Sequence, residues 1–265
     1  MTGVWDWINR TNYVDKLIVR NFQKDTADEI AMQFFFQREY DYLIVTTDDV
    51  LGHPFQVLHL LEMEEKHGFP ILSAWCNHLY SYASLCVDPI DSELLEDARR
   101  KPWPGLALEE YKFALSHDIA SGAFGFPFFK VWYTGVPLTL IQKDVLRRVP
   151  FREWRLQRDD YCVTPEARRE GRGVMQDVQW AMDCAEEDVP VTVDARVFLL
   201  HVFTGLGVGV SDGLALEVGR KPRVRFVPAV GEKRSPEEMD EINGLLGEIA
   251  ASAWRKRRLT RNAEL

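Results

Sequence analysis

The chain has 265 residues, 46% of them apolar and 28% charged, and a formal net charge of -9. That length buries a full core without disulfides or a structural metal, and the composition excludes a disordered, collagen-like or low-complexity chain. The acidic balance excludes nucleic acid as the partner of the surface as a whole. No apolar run reaches the roughly 18 residues needed to span a bilayer; the richest, 123–133, is interrupted by Pro127 and Lys130. The first residues lack a basic-then-apolar leader pattern, so a cytoplasmic location is expected. Cys76, Cys86, Cys162 and Cys184 form no CxxC pair and read as reduced, mostly buried thiols.

In chain order, Leu17 to Arg20 reads as a short strand, and Thr26-x-x-Glu29 as a capping box opening a helix to about Gln37. Tyr42 to Thr46 is an apolar run after a helix, which predicts a strand buried on both faces of a parallel sheet. Pro54 at a first helical turn, an apolar face of Val57, Leu58, Leu60, Leu61 and Met63, and Gly68 as a stop predict a helix over 54–67. Ile71 to Trp75 and Ser84 to Val87 read as strands and Asp91 to Arg100 as a charged helix, so the first hundred residues alternate β and α.

From Lys101 to Phe128 the punctuation by Pro and Gly predicts a long binding loop or lid. Phe129 to Tyr133 resumes as a strand, Lys143 to Arg148 is a short helix, and 152–173 is a charged stretch. Asp177 to Glu187 reads as a helix with Val178, Ala181, Met182 and Ala185 inward, followed by strands at 191–193 and 196–202. Gly205-x-Gly-x-Gly209 lacks the spacing of a dinucleotide loop and reads as a turn. Ser235-Pro236-x-Glu238 is a second capping box, starting a helix to about Arg258. The expected organisation is one domain over 1–205, with an extension over 206–265 packing on it.

Three features bear on chemistry. Asp48 and Asp49 follow the strand at 42–46, at the strand end where α/β sheets bind ligands. Adjacent carboxylates repel and call for a cation or a basic residue, although a solvated turn or helix cap accommodates the same pair. Asp177 stands where a helix start favours negative charge, either as a cap or as a group that can take a proton. Arg255, Lys256, Arg257 and Arg258 form a basic cluster. It either complements a helix C-terminus or contacts an anionic membrane or nucleic acid.

Tyr-Asp-Tyr-Leu-Ile-Val-Thr-Thr-Asp-Asp-Val, then Pro54 and Leu58-x-x-Leu61, resembles the metal-motif strand and Pro-led helix of a GT-A-fold glycosyltransferase of the broad family-2 type. Thr47 stands where that family has its first motif aspartate. Three further segments resemble family elements in the same order: Thr134-Gly135 through Ile141 with Asp144-Val-Leu, Gln176-Asp177-Val-Gln-Trp180, and Val191-x-Val-Asp194 through His201. Arg20-Asn21 resembles a pair found near the nucleotide.

The resemblance implies a GT-A, Rossmann-like nucleotide-diphospho-sugar transferase fold, a mixed, mostly parallel sheet flanked by helices. It implies transfer of a sugar from a UDP- or GDP-sugar to a hydroxyl acceptor, inverting if Asp177 acts as the base. Asp49 and His201 would be the metal ligands, and Arg20, Asn21, Thr47, Asp48 and Gly135 would line the donor site. A nitrogen ligand favours Mn2+ over Mg2+. The acceptor is expected against aromatic rings, Trp103, Phe126 and Trp132, because sugar faces stack on them. Two rival readings share the cleft: a catalytically silent module of the same fold, kept open by Thr47, and a nucleotidyltransferase, which would release pyrophosphate.

Overall fold

The computed structural model describes residues 10–11, 13–20, 24–47, 50–79, 82–86, 113–151, 176–201, 223–230 and 234–263. Asn21, Asp48, Asp49, Trp103, the expected helix at 91–100, the charged stretch at 152–173 and the Gly205–Gly209 turn lie outside them.

The elements are β1 (Lys16–Arg20), α1 (Lys24–Phe36), β2 (Tyr42–Thr46), β3 (Val50–Leu51), α2 (Pro54–His67), β4 (Ile71–Leu79), β5 (Tyr82–Cys86) and β6 (Phe113–Leu115). They continue with α3 (Ser116–Ser121), β7 (Phe128–Val131), β8 (Tyr133–Thr134), β9 (Leu138–Gln142), α4 (Lys143–Arg148), α5 (Gln176–Glu186), β10 (Val191–His201), β11 (Arg223–Val227) and α6 (Pro236–Ala263). No described helix is long and apolar enough to cross a membrane. The chain divides into two compact units. One carries β2 to β10 with α2 to α5, and the other carries β1, α1, β11 and α6. The first strand and helix therefore group with the C-terminal segment rather than with the residues that follow them.

In the first unit the strands run in the order β2-β9-β4-β10-β3, with β5 on β4, β6 and β8 on β5, and β7 on β10. The expectation of a mostly parallel sheet is corrected: β4 with β10 is the parallel pair among the described strands, and the other pairings are antiparallel. The physical reason lies in one insertion. The β2-α2-β4 crossover does send its two strands the same way, since both run against β9. But β9 lies between them, reversed, turning one parallel neighbour into two antiparallel ones.

The core follows from that order. Ile71 to Cys76 of β4 and Leu138 to Ile141 of β9 are buried at every position, as strands covered on both faces are. Their hydroxyls pair inside the sheet, Ser73 Oγ to Thr139 Oγ1 at 2.8 Å, which removes the cost of burying them. The expectation that β2 is buried on both faces is not met; it is half-buried and ends the strand order among the described residues. β10 changes character along its length. Val191 to Asp194 are buried, whereas from Arg196 onward exposed and buried residues alternate. The ladder to β4 shifts register between Val193 and Phe198, so the two strands expected at 191–193 and 196–202 are one strand with an irregularity.

The helix ends show local chemistry. α2 starts and stops as its punctuation predicts, with Pro54 in the first turn and Gly68 in the left-handed region at φ 68° as its C-cap. Its N-cap is His53, whose Nδ1 accepts from Phe55 N while Gln56 Oε1 accepts from His53 N, a reciprocal capping box. Val57, Leu60 and Met63 face inward, but Leu58 is exposed. The Thr26 box is corrected, because α1 already begins at Lys24 and Glu29 Oε1 accepts from Gln33 one turn on. The Ser235 box forms as read: Ser235 N donates to Glu238 Oε2, and Glu238 N donates to Ser235 Oγ. α6 runs five residues past the expected end, to Ala263.

The second unit is a two-stranded antiparallel ribbon, β1 with β11, pairing Leu17 with Phe226 and Val19 with Val224. Ile30 and Phe34 of α1 and Ile242, Leu246, Ile249 and Ala253 of α6 bury a common cluster with Phe226. A lone hairpin is marginal in water, so these two helix stripes supply its stability. Asp15 ties the ends, accepting from Tyr40 Oη, Ala229 N and Arg234.

Candidate functional site

Because β2 and β4 oppose β9 and β10 runs with β4, three strands point the same way. Their carboxyl ends, Thr46, Leu79 and His201, face the same edge of the sheet, β2 stopping one residue past the level that Val45 and Ser73 share through Thr139 and β4 running on to Leu79. β3 returns along this edge antiparallel to β10, and its register partners are Leu51 with Leu200 and Val50 with His201. Val50 directly follows Asp48-Asp49 in the sequence, and those two aspartates lie outside the described residues.

His201 is half-buried, and its ring Nδ1 lies 3.0 Å from the Asn77 carbonyl oxygen. A carbonyl only accepts, so Nδ1 carries the proton, and in the neutral ring the lone pair sits on Nε2. Metal-binding histidines are oriented by this kind of bond. Asn77 is held in turn: Ser116 Oγ donates to its Oδ1 at 2.5 Å. Among the described residues no group of three His, Cys, Asp or Glu forms a metal site.

Thr47 is half-buried just after β2, and Thr46 Oγ1 donates to the Pro137 carbonyl at 2.7 Å, tying this strand end to the entry of β9. Gly135 lies between β8 and β9. The backbone strain there falls on its neighbour, buried Val136, at φ 47°, whose N donates to Thr134 Oγ1 at 3.2 Å. A β-branched residue in that region costs about 1–3 kcal/mol, and such strain clusters at functional sites.

Asp177 is in the first turn of α5 and buried at 4% exposure. Its Oδ2 accepts from the buried Tyr133 Oη at 3.2 Å. Next to Tyr133, Trp132 is half-buried, with ring centroids 5.9 Å apart, and Phe126 is 68% exposed. Arg20 belongs to the second unit, where its backbone pairs with Arg223. Arg255 is exposed on α6, its Nε donating to the Ala251 carbonyl, and Lys256 to Arg258 continue the same helix.

A second polar cluster escaped the sequence reading. Asp194, fully buried at the β10 irregularity, accepts from Arg196 Nε at 2.8 Å and Nη2 at 2.7 Å, and from Arg196 N at 3.0 Å. Its Oδ2 is 2.8 Å from His59 Nε2. Burial alone would raise this carboxyl, but the Arg196 side-chain and backbone bonds, the His59 bond and the Arg196 charge hold it below the usual carboxylate range. Of the cysteines, Cys76 and Cys184 are buried thiols outside any disulfide. Burial and the Asp183 charge push the Cys184 thiol far up, which makes it unreactive. No protein-family model matches the chain, and no curated protein matches it either.

Proposed function

We propose that this protein is a metal-dependent glycosyltransferase of GT-A type, moving a sugar from a nucleoside-diphosphate donor to a hydroxyl acceptor. The observation that carries the reading is the pairing of His201 with Val50, the residue after Asp48-Asp49, at the carboxyl edge of β2, β4 and β10. The imidazole oriented by the Asn77 carbonyl supports this reading, since with an aspartate oxygen it would make a mixed nitrogen and oxygen set that suits Mn2+ better than Mg2+. When bound, the cation neutralises the charge of the departing diphosphate.

The other roles fall to the chain itself. Asp49 and His201 hold the cation, and Thr47, Asp48 and Gly135 line the donor. Asp177 takes the acceptor hydroxyl proton, with Tyr133 fixing the carboxylate by its hydrogen bond. Phe126 and Trp132 offer rings for the acceptor sugar. Strain at Val136, beside Gly135, supports a site at this edge.

The test is thermal denaturation with UDP, GDP, CDP and ADP, each with and without Mn2+, on the parent and on Asp49→Ala. A ligand that binds only the folded state raises the melting temperature. One nucleotide should stabilise the parent only with Mn2+, and Asp49→Ala should lose that shift. Absence of any shift overturns the donor site.

A further inference from the structure

Asn77 interrupts an otherwise mainly apolar strand, Ile-Leu-Ser-Ala-Trp-Cys-Asn-His-Leu, and Asn is a poor strand former. It stands where regular pairing fails, because the β4–β5 register shifts between Asn77 and Leu79. The Asn77 carbonyl belongs to the last pair before that shift, where Asn77 meets Ala83. This carbonyl accepts the His201 Nδ1 proton at 3.0 Å.

The Asn77 side chain has a partner of its own, Ser116. It is the first residue of α3, one position past the N-cap, Leu115, which has no side-chain cap bond. The Ser116 hydroxyl donates to Asn77 Oδ1. The β6–α3 segment is in place to do this because Leu115 pairs with Tyr82 of β5, and β5 pairs with β4 beside Asn77. The result is a chain of contacts, Ser116 hydroxyl to Asn77 side chain and Asn77 carbonyl to the His201 ring.

We propose that Asn77 and Ser116 are positioning residues for His201, fixing its ring direction and its Nδ1-protonated tautomer so that Nε2 is the atom presented to a divalent cation. This rests on the reading of His201 as a metal ligand. Ordering by an outer partner commonly changes metal affinity about 10–100-fold.

The experiment measures Mn2+ binding to the full chain by water-proton relaxation, with the metal alone, on the parent, Ser116→Ala, Ser116→Thr, Asn77→Ala and His201→Ala. Nitrogen-15 NMR of the imidazole gives the metal-free tautomer of His201 in the same set. Ser116→Ala and Asn77→Ala should weaken Mn2+ binding about tenfold and mix the His201 tautomers, while Ser116→Thr, which keeps the hydroxyl, should retain both parental properties. His201→Ala should lose more than either. Parental affinity and tautomer in Ser116→Ala and Asn77→Ala, alongside a loss in His201→Ala, overturns the positioning roles and leaves the metal reading standing. Unchanged binding in His201→Ala overturns the metal reading and this inference with it.

Discussion

His59 on α2 and Asp194 on β10 meet at 2.8 Å, and the same carboxylate is gripped by the Arg196 guanidinium. The pair sits where β10 departs from its ladder. Neighbouring backbone groups are served individually there: Trp75 Nε1 donates to the Ala195 carbonyl, Ala195 N to the Pro127 carbonyl, and Gln56 Nε2 to the Phe198 carbonyl. Two side chains and one backbone bond thus stand in for the ladder at the β10 irregularity. Asp194 is the buried centre of this arrangement, and its loss leaves Arg196 and His59 without their anion.

Breaking a fully buried ion pair costs about 3–5 kcal/mol, but the His59 and Arg196 side chains are 30% and 36% exposed and recover part of their hydration. Asp194→Ala is therefore expected to cost about 2–3 kcal/mol in urea denaturation, less than a fully buried pair would. A loss within about 0.5 kcal/mol, as at an ordinary surface site, would show that the cluster is not structural.

The same carboxylate sets an acid limit. Its folded pKa lies below the unfolded value near 3.8, so the stability it contributes is complete above about pH 5 and is lost as pH falls through the folded value. The stability difference between the parent and Asp194→Asn should shrink progressively below pH 4. A difference constant from pH 7 to about pH 2 would contradict the assignment.

At the alkaline end the informative group is Tyr42. Glu64 beside it, then burial, push its phenol up to about 12 from 10.0. Glu64 is itself buried, with Oε1 taking the Gln142 amide at 2.7 Å. A raised tyrosine stabilises the fold fully below the unfolded pKa, and that contribution fades between about pH 10 and 12. Ultraviolet titration of tyrosinate should show a late-ionising phenol that is missing in Tyr42→Phe and moves to lower pH in Glu64→Gln. Superimposable curves for the parent and Tyr42→Phe above pH 10 would rule the contact out.

For the proposed base, Asp177→Asn should lower sugar transfer about 10²–10⁴-fold while leaving the nucleotide-dependent thermal shift intact. Tyr133→Phe removes the hydroxyl that holds Asp177 and should lower the turnover number more than it raises the acceptor KM. Undiminished transfer in Asp177→Asn would leave Asp177 as a helix-start charge only.

In the second unit, Ile242→Ala removes a side chain with no exposure from the α1–α6–Phe226 cluster, at an expected cost of about 2–5 kcal/mol. Hydrogen exchange should quicken throughout α1 and α6. Exchange that changes only around residue 242 would mean that the unit does not open as one.

What the sequence revealed depended on how far each signal reached. α2 was legible from end to end because Pro54, a 3.6-residue apolar period and Gly68 are all local to it. The neighbours of β2 were not, since nothing in Tyr42 to Thr46 says that Leu138 to Gln142 will pair with it from the other direction. His201 and Asp177 were singled out through the resemblance of their segments to family elements, whereas His59 and Asp194 come together only by folding. Asn77 did leave a trace, an amide in an apolar run, but its significance depends on Ser116, which the chain reaches later and through another strand.

The ribbon of the second unit also dictates an order of events during synthesis. The ribosome delivers Lys16–Arg20 and the apolar stripe of α1 well before their partners on β11 and α6, and the entire β2–β10 unit is made in between. Until Phe226 and Ile242 emerge, β1 is an unpaired strand beside a helix with an uncovered apolar side, the kind of surface that chaperones hold and proteases cut. A stop codon anywhere between the two halves would make that interim state permanent, however well the residues already made had folded.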